Sequence, residues 1–359
     1  MKPADAIRVL IVDDSAVIRG ALGKIVDAEP DLRVVTTAPN GKVALDALRH
    51  APVDVVLLDI EMPEMDGLTA LPRILALYPR TRVIMASSLT VRGAEVTMQA
   101  LALGAADYIT KPAARSGSAT LAAVALEIAS KVRAIGRAAR GNSMLARSTT
   151  AVPARTELLA ARTVDAPPRV LAIASSTGGP NALATLLSSL PKDFPLPILI
   201  TQHMPAVFTA MLAQRLERDT GRPCAEARDG ESIRQNCTYV APGEFHMLVQ
   251  THEGKPIVRL TQSEPENYCR PAADPMLRSI AAVYGASTLA VVLTGMGEDG
   301  MRGCKDVYQR GGRVFAQDEA SSVVWGMPGA VVNAGLATAV LPLSGLAESI
   351  MACCGGAVA

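Results

Sequence analysis

The 359-residue chain contains no run of about 18 uninterrupted apolar residues, the length a membrane-crossing helix needs. Its start, Met1-Lys2-Pro3-Ala4-Asp5, lacks the apolar core of a secretion signal. Both absences predict a soluble, cytoplasmic protein with no membrane insertion. Six cysteines are present, but none stands in a CxxC pair or at zinc-site distance from a histidine, so reduced thiols are expected. Net charge is missing too: 35 Lys and Arg meet 34 Asp and Glu, and the resulting +1 excludes a wholesale nucleic-acid or membrane-surface binder. Histidines number only four, which makes the search for a general base short. What is present is ordinary globular usage, 49% hydrophobic and 19% charged, on a length that suits two domains.

From residue 8 to 112, short apolar runs at 9–12, 33–36, 53–58, 82–86 and 108–109 alternate with helix-like segments. Such alternation predicts βαβ units and a parallel sheet covered on both faces. Residues 113–168 differ in texture: an amphipathic stretch at 121–135 passes into a Ser/Thr/Ala/Arg segment, with 8 Lys and Arg against 3 Asp and Glu over the whole span. A last helix followed by a flexible basic tether fits this composition. A second α/β pattern starts at Arg169, with strands expected at 170–174, 197–201, 238–240, 257–260, 289–294 and 313–316. The expected architecture is α/β with two doubly wound parallel-sheet domains. Their boundaries are expected at 7–125 and 169–356, with the linker at 126–168.

In the first domain, Asp13-Asp14, Asp59, Ser87 and Lys111-Pro112 all follow expected strands, so they meet at the sheet edge where open α/β folds hold ligands. Three carboxylates at one edge repel unless a hard cation sits among them, and Mg²⁺ is the economical inference. One carboxylate can then act as nucleophile toward a phosphoryl group, while Lys111 and the Ser87 hydroxyl neutralise and hydrogen-bond its oxygens.

Residues Asp13-Asp14-Ser15, the run from Leu58-Asp59-Ile60-Glu61 through Met65-Asp66-Gly67, Ser87-Ser88 and the run Asp107-Tyr108-Ile109-Thr110-Lys111-Pro112 together resemble the response-regulator receiver family. The resemblance implies a flavodoxin-like domain in which Asp59 takes phosphate from a histidine kinase. It also implies that Asp14, Asp59 and the Glu61 backbone carbonyl hold Mg²⁺ beside Asp13, with Ser87 and Tyr108 as the switch pair.

The second domain offers fewer candidates. His50 lies on an expected helix of the first domain and reads as a surface residue. His246 and His252 flank an apolar run, whereas His203 directly follows an expected strand, in Gln202-His203-Met204-Pro205, and is the leading base. Ser175-Ser176-Thr177-Gly178-Gly179-Pro180 sits between the first strand and a helix, where a serine lies beside helix-terminal N–H groups. A plain helix cap would use the same residues. Gly295-Met296-Gly297-Glu298-Asp299-Gly300 formally fits a dinucleotide fingerprint, but its two acidic residues and its late position in the domain oppose that reading. Asp299 can instead orient a histidine, on a turn whose N–H groups face an oxyanion.

With Ala241-Pro242-Gly243 and Arg270-Pro271-Ala272-Ala273-Asp274 added, this domain resembles the catalytic domain of the chemotaxis response-regulator protein-glutamate methylesterases. The resemblance implies a Rossmann-like hydrolase with the triad Ser176, His203 and Asp299, the Met296 N–H in the oxyanion hole, Arg270 near the substrate groove, and no cofactor. It implies esterase action on glutamate γ-methyl esters of chemoreceptor cytoplasmic domains, deamidation of their glutamines, and phosphorylation by the kinase of the chemotaxis array. A phosphorylated receiver is expected to relieve occlusion of the groove. The family's usual Gly-Ala before the nucleophile is Ala174-Ser175 here, which raises two questions: which serine attacks, and whether Ala174 must adopt a positive φ. A catalytically inactive, phosphorylation-gated adaptor and a nucleotide-dependent enzyme are the alternative classes. A DNA-binding output is disfavoured, because no basic recognition helix is present.

Overall fold

The computed structural model describes residues 2–3, 5–112, 118–145 and 166–355. The chain divides into two compact units, Met1–Ala151 and Val152–Ala359.

The first unit is a five-stranded, all-parallel sheet in the order β2-β1-β3-β4-β5, with β1 Ile7–Val12, β2 Leu32–Ala38, β3 Val55–Asp59, β4 Arg82–Ser87 and β5 Asp107–Thr110. The central strands β1 and β3 are near-continuous Val/Ile/Leu runs, as expected of strands covered on both faces, and Val55 to Asp59 are all buried. Between the strands lie α1 Ala16–Ala28, α2 Gly41–His50, α3 Gly67–Leu77 and α4 Val91–Ala102. Ser15, Asn40, Asp66 and Thr90 cap these helices, each accepting a backbone N–H three residues on.

The last helix of this unit, α5 Ser118–Leu145, corrects the expected start of the linker at residue 126. Ile128, Ala129, Val132 and Ile135 are buried in the first unit, so residues 126–145 belong to its fold. The basic charge there is committed as well. Lys131 pairs with Asp107, Arg133 with Glu29 and Asp31, Arg137 with Asp31, and Arg140 with Asp54. Gly136 and Gly141 lie inside this helix, so its glycines do not mark where it stops. Most of the remaining tether, residues 146–165, lies outside the described residues.

The second unit is a seven-stranded parallel sheet in the order β14-β13-β12-β6-β7-β9-β8. Its strands are β6 Val170–Ser175, β7 Ile198–Gln202, β8 Cys224–Glu226, β9 Thr238–Val240, β12 Thr288–Val292, β13 Arg313–Gln317 and β14 Ala339–Leu341. The expected strand at 257–260 is not part of this sheet. It belongs to β11 Lys255–Thr261, which pairs antiparallel with β10 His246–His252 in a separate hairpin. The helices are α6 Gly179–Ser188, α7 Ala206–Thr220, α8 Ala273–Tyr284, α9 Met301–Gln309, α10 Met327–Asn333 and α11 Leu343–Cys353. Helix α8 packs Met276, Leu277 and Ile280 into the core beneath β6 and β12. Among the described residues, no helix is long and apolar enough to cross a membrane.

Candidate active site and phosphoacceptor site

In the first unit the chain reverses direction across the sheet between β1 and β3, and the acidic residues collect there. Asp13 follows β1, Asp59 ends β3, Ser87 ends β4 and Lys111 follows β5. Gly67 lets the turn after β3 fold back this tightly, since a Cβ on it would lie 2.1 Å from the Asp59 carbonyl oxygen. Lys111 Nζ stands 2.8 Å from Asp13 Oδ2 and 2.6 Å from Asp59 Oδ1. Burial and the neighbouring Asp13 charge push the Asp59 carboxyl up to about 6, against the opposing pull of Lys111. Burial works against the Lys111 charge, but the hydrogen bonds to Asp13 and Asp59 outweigh it and raise its pKa.

Ligand oxygens of Asp13, Asp14 and Asp59 lie within 4.8 Å of one another, an all-oxygen donor set that suits a hard cation such as Mg²⁺. Asp14 and Asp59 border a cleft of about 490 Å³ that Glu61, Ser87 and Lys111 also line. Ser87 Oγ accepts a hydrogen bond from Thr97 Oγ1 at 2.8 Å. Tyr108 is buried, its ring under Lys131 Nζ at 4.8 Å, and burial raises its phenol pKa well above the ordinary value.

The second unit has its own reversal between β6 and β12. Pairing of Ser175 with Gln202 puts the ends of β6 and β7 level, so Ser176 and His203 leave the sheet side by side. The His203 N–H donates to the Ser175 carbonyl at 3.2 Å. Ser175 is fully buried and its hydroxyl donates to Gln202 Oε1 at 2.7 Å, whereas Ser176 is half-buried. Ala174 continues the extended strand and is not among the residues of positive φ, so the extra methyl is accommodated.

Ser176 meets the loop after β12. Its N–H donates to the Thr294 carbonyl at 3.1 Å, and a Cβ on Gly295 would lie 2.9 Å from Ser176 Cβ, so only glycine permits this approach. Gly295 is bridged to Trp325, the one tryptophan of the chain, whose indole N–H donates to the Gln317 carbonyl at 3.0 Å. Among the described residues, the Met296 N–H has no acceptor.

Asp299 is buried where the first turn of α8 begins. Its Oδ2 accepts from His203 Nε2 at 2.7 Å and from the Ala273 N–H at 2.6 Å; its Oδ1 accepts from the Asp274 and Gly300 N–H groups at 3.1 and 2.9 Å. A helix N-terminus favours the carboxylate form. Burial opposes the charge, but these bonds hold Asp299 below the usual carboxylate range. His203 is 13% exposed. Burial disfavours its cation too, yet the hydrogen bond to Asp299 and the nearby Cys269 raise its pKa. Its other nitrogen, Nδ1, lies 3.5 Å from Cys269 Sγ. Among the described residues no hydrogen bond joins Ser176 Oγ to His203.

The remaining histidines do not join this site. His50 is exposed and bonded to the Asp46 carbonyl, and His252 is exposed at the hairpin end. His246 is buried with both ring nitrogens engaged, one at the Glu264 carbonyl and one by the Ala272 N–H. The Arg270 guanidinium donates to the carbonyls of Gln262 and Ser263 rather than to a triad residue. The Gly295–Gly300 turn carries Asp299 toward His203, so the spacing that imitates a nucleotide fingerprint serves this contact instead. Sequence reasoning gave no role to Asn267 or Cys269, which meet the triad from a distant turn; no local pattern signals either.

Residues 171–350 match the family described as CheB methylesterase, and residues 9–121 match the response regulator receiver domain. The protein-glutamate methylesterase/protein-glutamine glutaminase 1 of Paramagnetospirillum magneticum is 49% identical, over 97% of this chain and 96% of its own length. The chain belongs to the CheB methylesterase family. Another member, from the group 2 operon of Rhodospirillum centenum, is 48% identical over 95% of this chain and 92% of its own length. The crystal structure of the Thermotoga maritima CheB methylesterase catalytic domain is 41% identical, covering 52% of this chain and 99% of its own, with a TM-score of 0.51. That domain corresponds to the second unit, and the all-parallel sheets of both units bear out the expected α/β class.

Proposed function

We propose that this chain is a phosphorylation-regulated serine hydrolase acting on glutamate γ-methyl esters of chemoreceptor cytoplasmic domains, and on receptor glutamines, within the cytoplasm during sensory adaptation. Ser176 Oγ attacks the γ-carbonyl and passes its proton to His203 Nδ1, the ring nitrogen that Asp299 leaves open. Asp299 fixes the ring and stabilises the imidazolium, and the Met296 N–H receives the oxyanion. Collapse expels methanol, or ammonia from an amide, carrying that proton. Water then hydrolyses the acyl-enzyme by the reverse proton path. Arg270 is assigned to the substrate groove.

In the receiver, Asp59 accepts the phosphoryl group from a chemotaxis histidine kinase. Asp13, Asp14, Asp59 and the Glu61 carbonyl would hold Mg²⁺, which supplies neutralisation of phosphoryl charge. Lys111 and Ser87 contact the transferred oxygens, and Tyr108 pairs with Ser87 in the switch. The single observation that most supports the hydrolase reading is the 2.7 Å bond from His203 to a helix-held Asp299 beside Ser176. Methanol release from methylated receptor membranes, with and without a phosphodonor, tests it. Stimulated release is expected, and its absence with every phosphodonor and receptor preparation overturns the reading.

A further inference from the structure

Asp299 is not the only carboxylate buried at the head of α8. Asp274, the second residue of that helix, is fully buried, and its Oδ1 accepts the Gly303 N–H at 2.7 Å. Two carboxylates in one dry pocket repel, and burial together with the Asp299 charge raises the Asp274 pKa. One side chain lies between them. Asn267 Nδ2 donates to Asp299 Oδ1 at 2.8 Å and to Asp274 Oδ2 at 2.9 Å.

The backbone around Asn267 is arranged for this reach. Asn267 and Tyr268 both take positive φ, 52° and 62°, and the Cys269 N–H closes the turn on the Glu266 carbonyl at 2.9 Å. Positive φ is tolerated by asparagine but is an outlier for a bulky tyrosine, whose ring here is fully exposed. The turn therefore points Asn267 inward at a conformational cost borne by its neighbour.

We propose that Asn267 is a positioning residue of the hydrolase: its amide bridges Asp274 and Asp299, keeping the Asp299 carboxylate ionised and aimed at His203. The inference rests on the reading of Ser176, His203 and Asp299 as the triad. The Asn267 amide donates to these two carboxylates and not to Ser176, so its contribution falls on the chemical step rather than on binding.

The test is methanol release by the full chain from methylated receptor membranes, with Asn267→Ala, Asn267→Asp, and Asn267→Asp combined with Asp274→Asn. The charge role predicts that Asn267→Ala lowers kcat roughly 10- to 100-fold with KM little changed, the loss expected for a donor to a charged group. It also predicts that Asn267→Asp, nearly identical in shape but a third carboxylate without the N–H, loses more than Asn267→Ala. Adding Asp274→Asn, which removes one negative charge, regains part of that loss. A space-filling role predicts the reverse order, with the isosteric Asn267→Asp the more active. That order, or wild-type kcat in Asn267→Ala, overturns the proposal. Ser176→Ala assayed alongside separates the two levels: wild-type release there defeats the triad itself, whatever Asn267 does.

Discussion

His203 donates through Nε2 to Asp299 at 2.7 Å, while its Nδ1 meets Cys269 Sγ at 3.5 Å, so the ring is clamped by its anionic partner on one side and touched by a thiol on the other. Because the Asp299 contact raises the imidazole pKa above its ordinary 6.5, the ring stays protonated to higher pH and the free base grows as pH rises. The acid limb of kcat/KM is therefore expected above pH 6.5. Asp299→Asn removes the strongest raising interaction and leaves burial, which lowers the imidazole pKa, opposed only by Cys269, so its limb moves to lower pH. Its kcat drops roughly 10³- to 10⁴-fold, as when a triad loses its carboxylate. A pH–rate series on both proteins checks this, and an unmoved limb in Asp299→Asn contradicts it.

The adjacent serines separate cleanly. Ser176→Ala is expected to lose roughly 10³-fold or more in methanol release, the scale of a missing nucleophile. Ser175→Ala breaks the buried bond to Gln202 Oε1, a stability effect of about 1 kcal/mol, and should keep most activity. If Ser175→Ala alone abolished turnover, with its fold intact by circular dichroism, the nucleophile would be misassigned.

At the receiver, Asp59→Asn should show no Mg²⁺-dependent phosphoryl incorporation from a small phosphodonor, read by intact mass, and no stimulation of the hydrolase. Asp13→Asn should keep Asp59 but require more Mg²⁺, because one carboxylate of the acidic cluster is gone. Incorporation into Asp59→Asn at the wild-type level would place the acceptor elsewhere.

The extent of α5 has a direct stability consequence. A fragment ending at residue 125 omits Ile128, Val132 and Ile135, whose side chains are 1%, 0% and 0% exposed. Losing their burial costs on the order of 5 kcal/mol. Urea titration should place the midpoint of fragment 1–125 well below that of 1–145. Equal midpoints would return residues 126–145 to the linker.

The strands that carry chemistry were legible because each is a buried apolar run that gives way to polar residues: Val12 before Asp13, Leu58 before Asp59, Ile200 before Thr201, Gln202 and His203. Less legible were β8 Cys224–Glu226 and β14 Ala339–Leu341, three-residue strands at the two edges of the sheet that show neither a long apolar run nor a period. The hairpin strand β10 was hidden by its own histidines, one buried and one exposed. Asn267 reaches Asp299 across 32 positions of sequence, a pairing that the fold creates and no spacing rule anticipates. The basic stretch misled for a different reason: composition marks Arg133, Arg137 and Arg140 as cationic but cannot say that Asp31 and Asp54 await them.

Trp325, bridged to Gly295 next to Ser176, makes the chain a self-labelled protein. With no second indole in the sequence, intrinsic emission excited at the red edge reports the hydrolase unit and is silent about the receiver. Comparing that signal with far-ultraviolet ellipticity during melting therefore tells whether the two units unfold together or in turn.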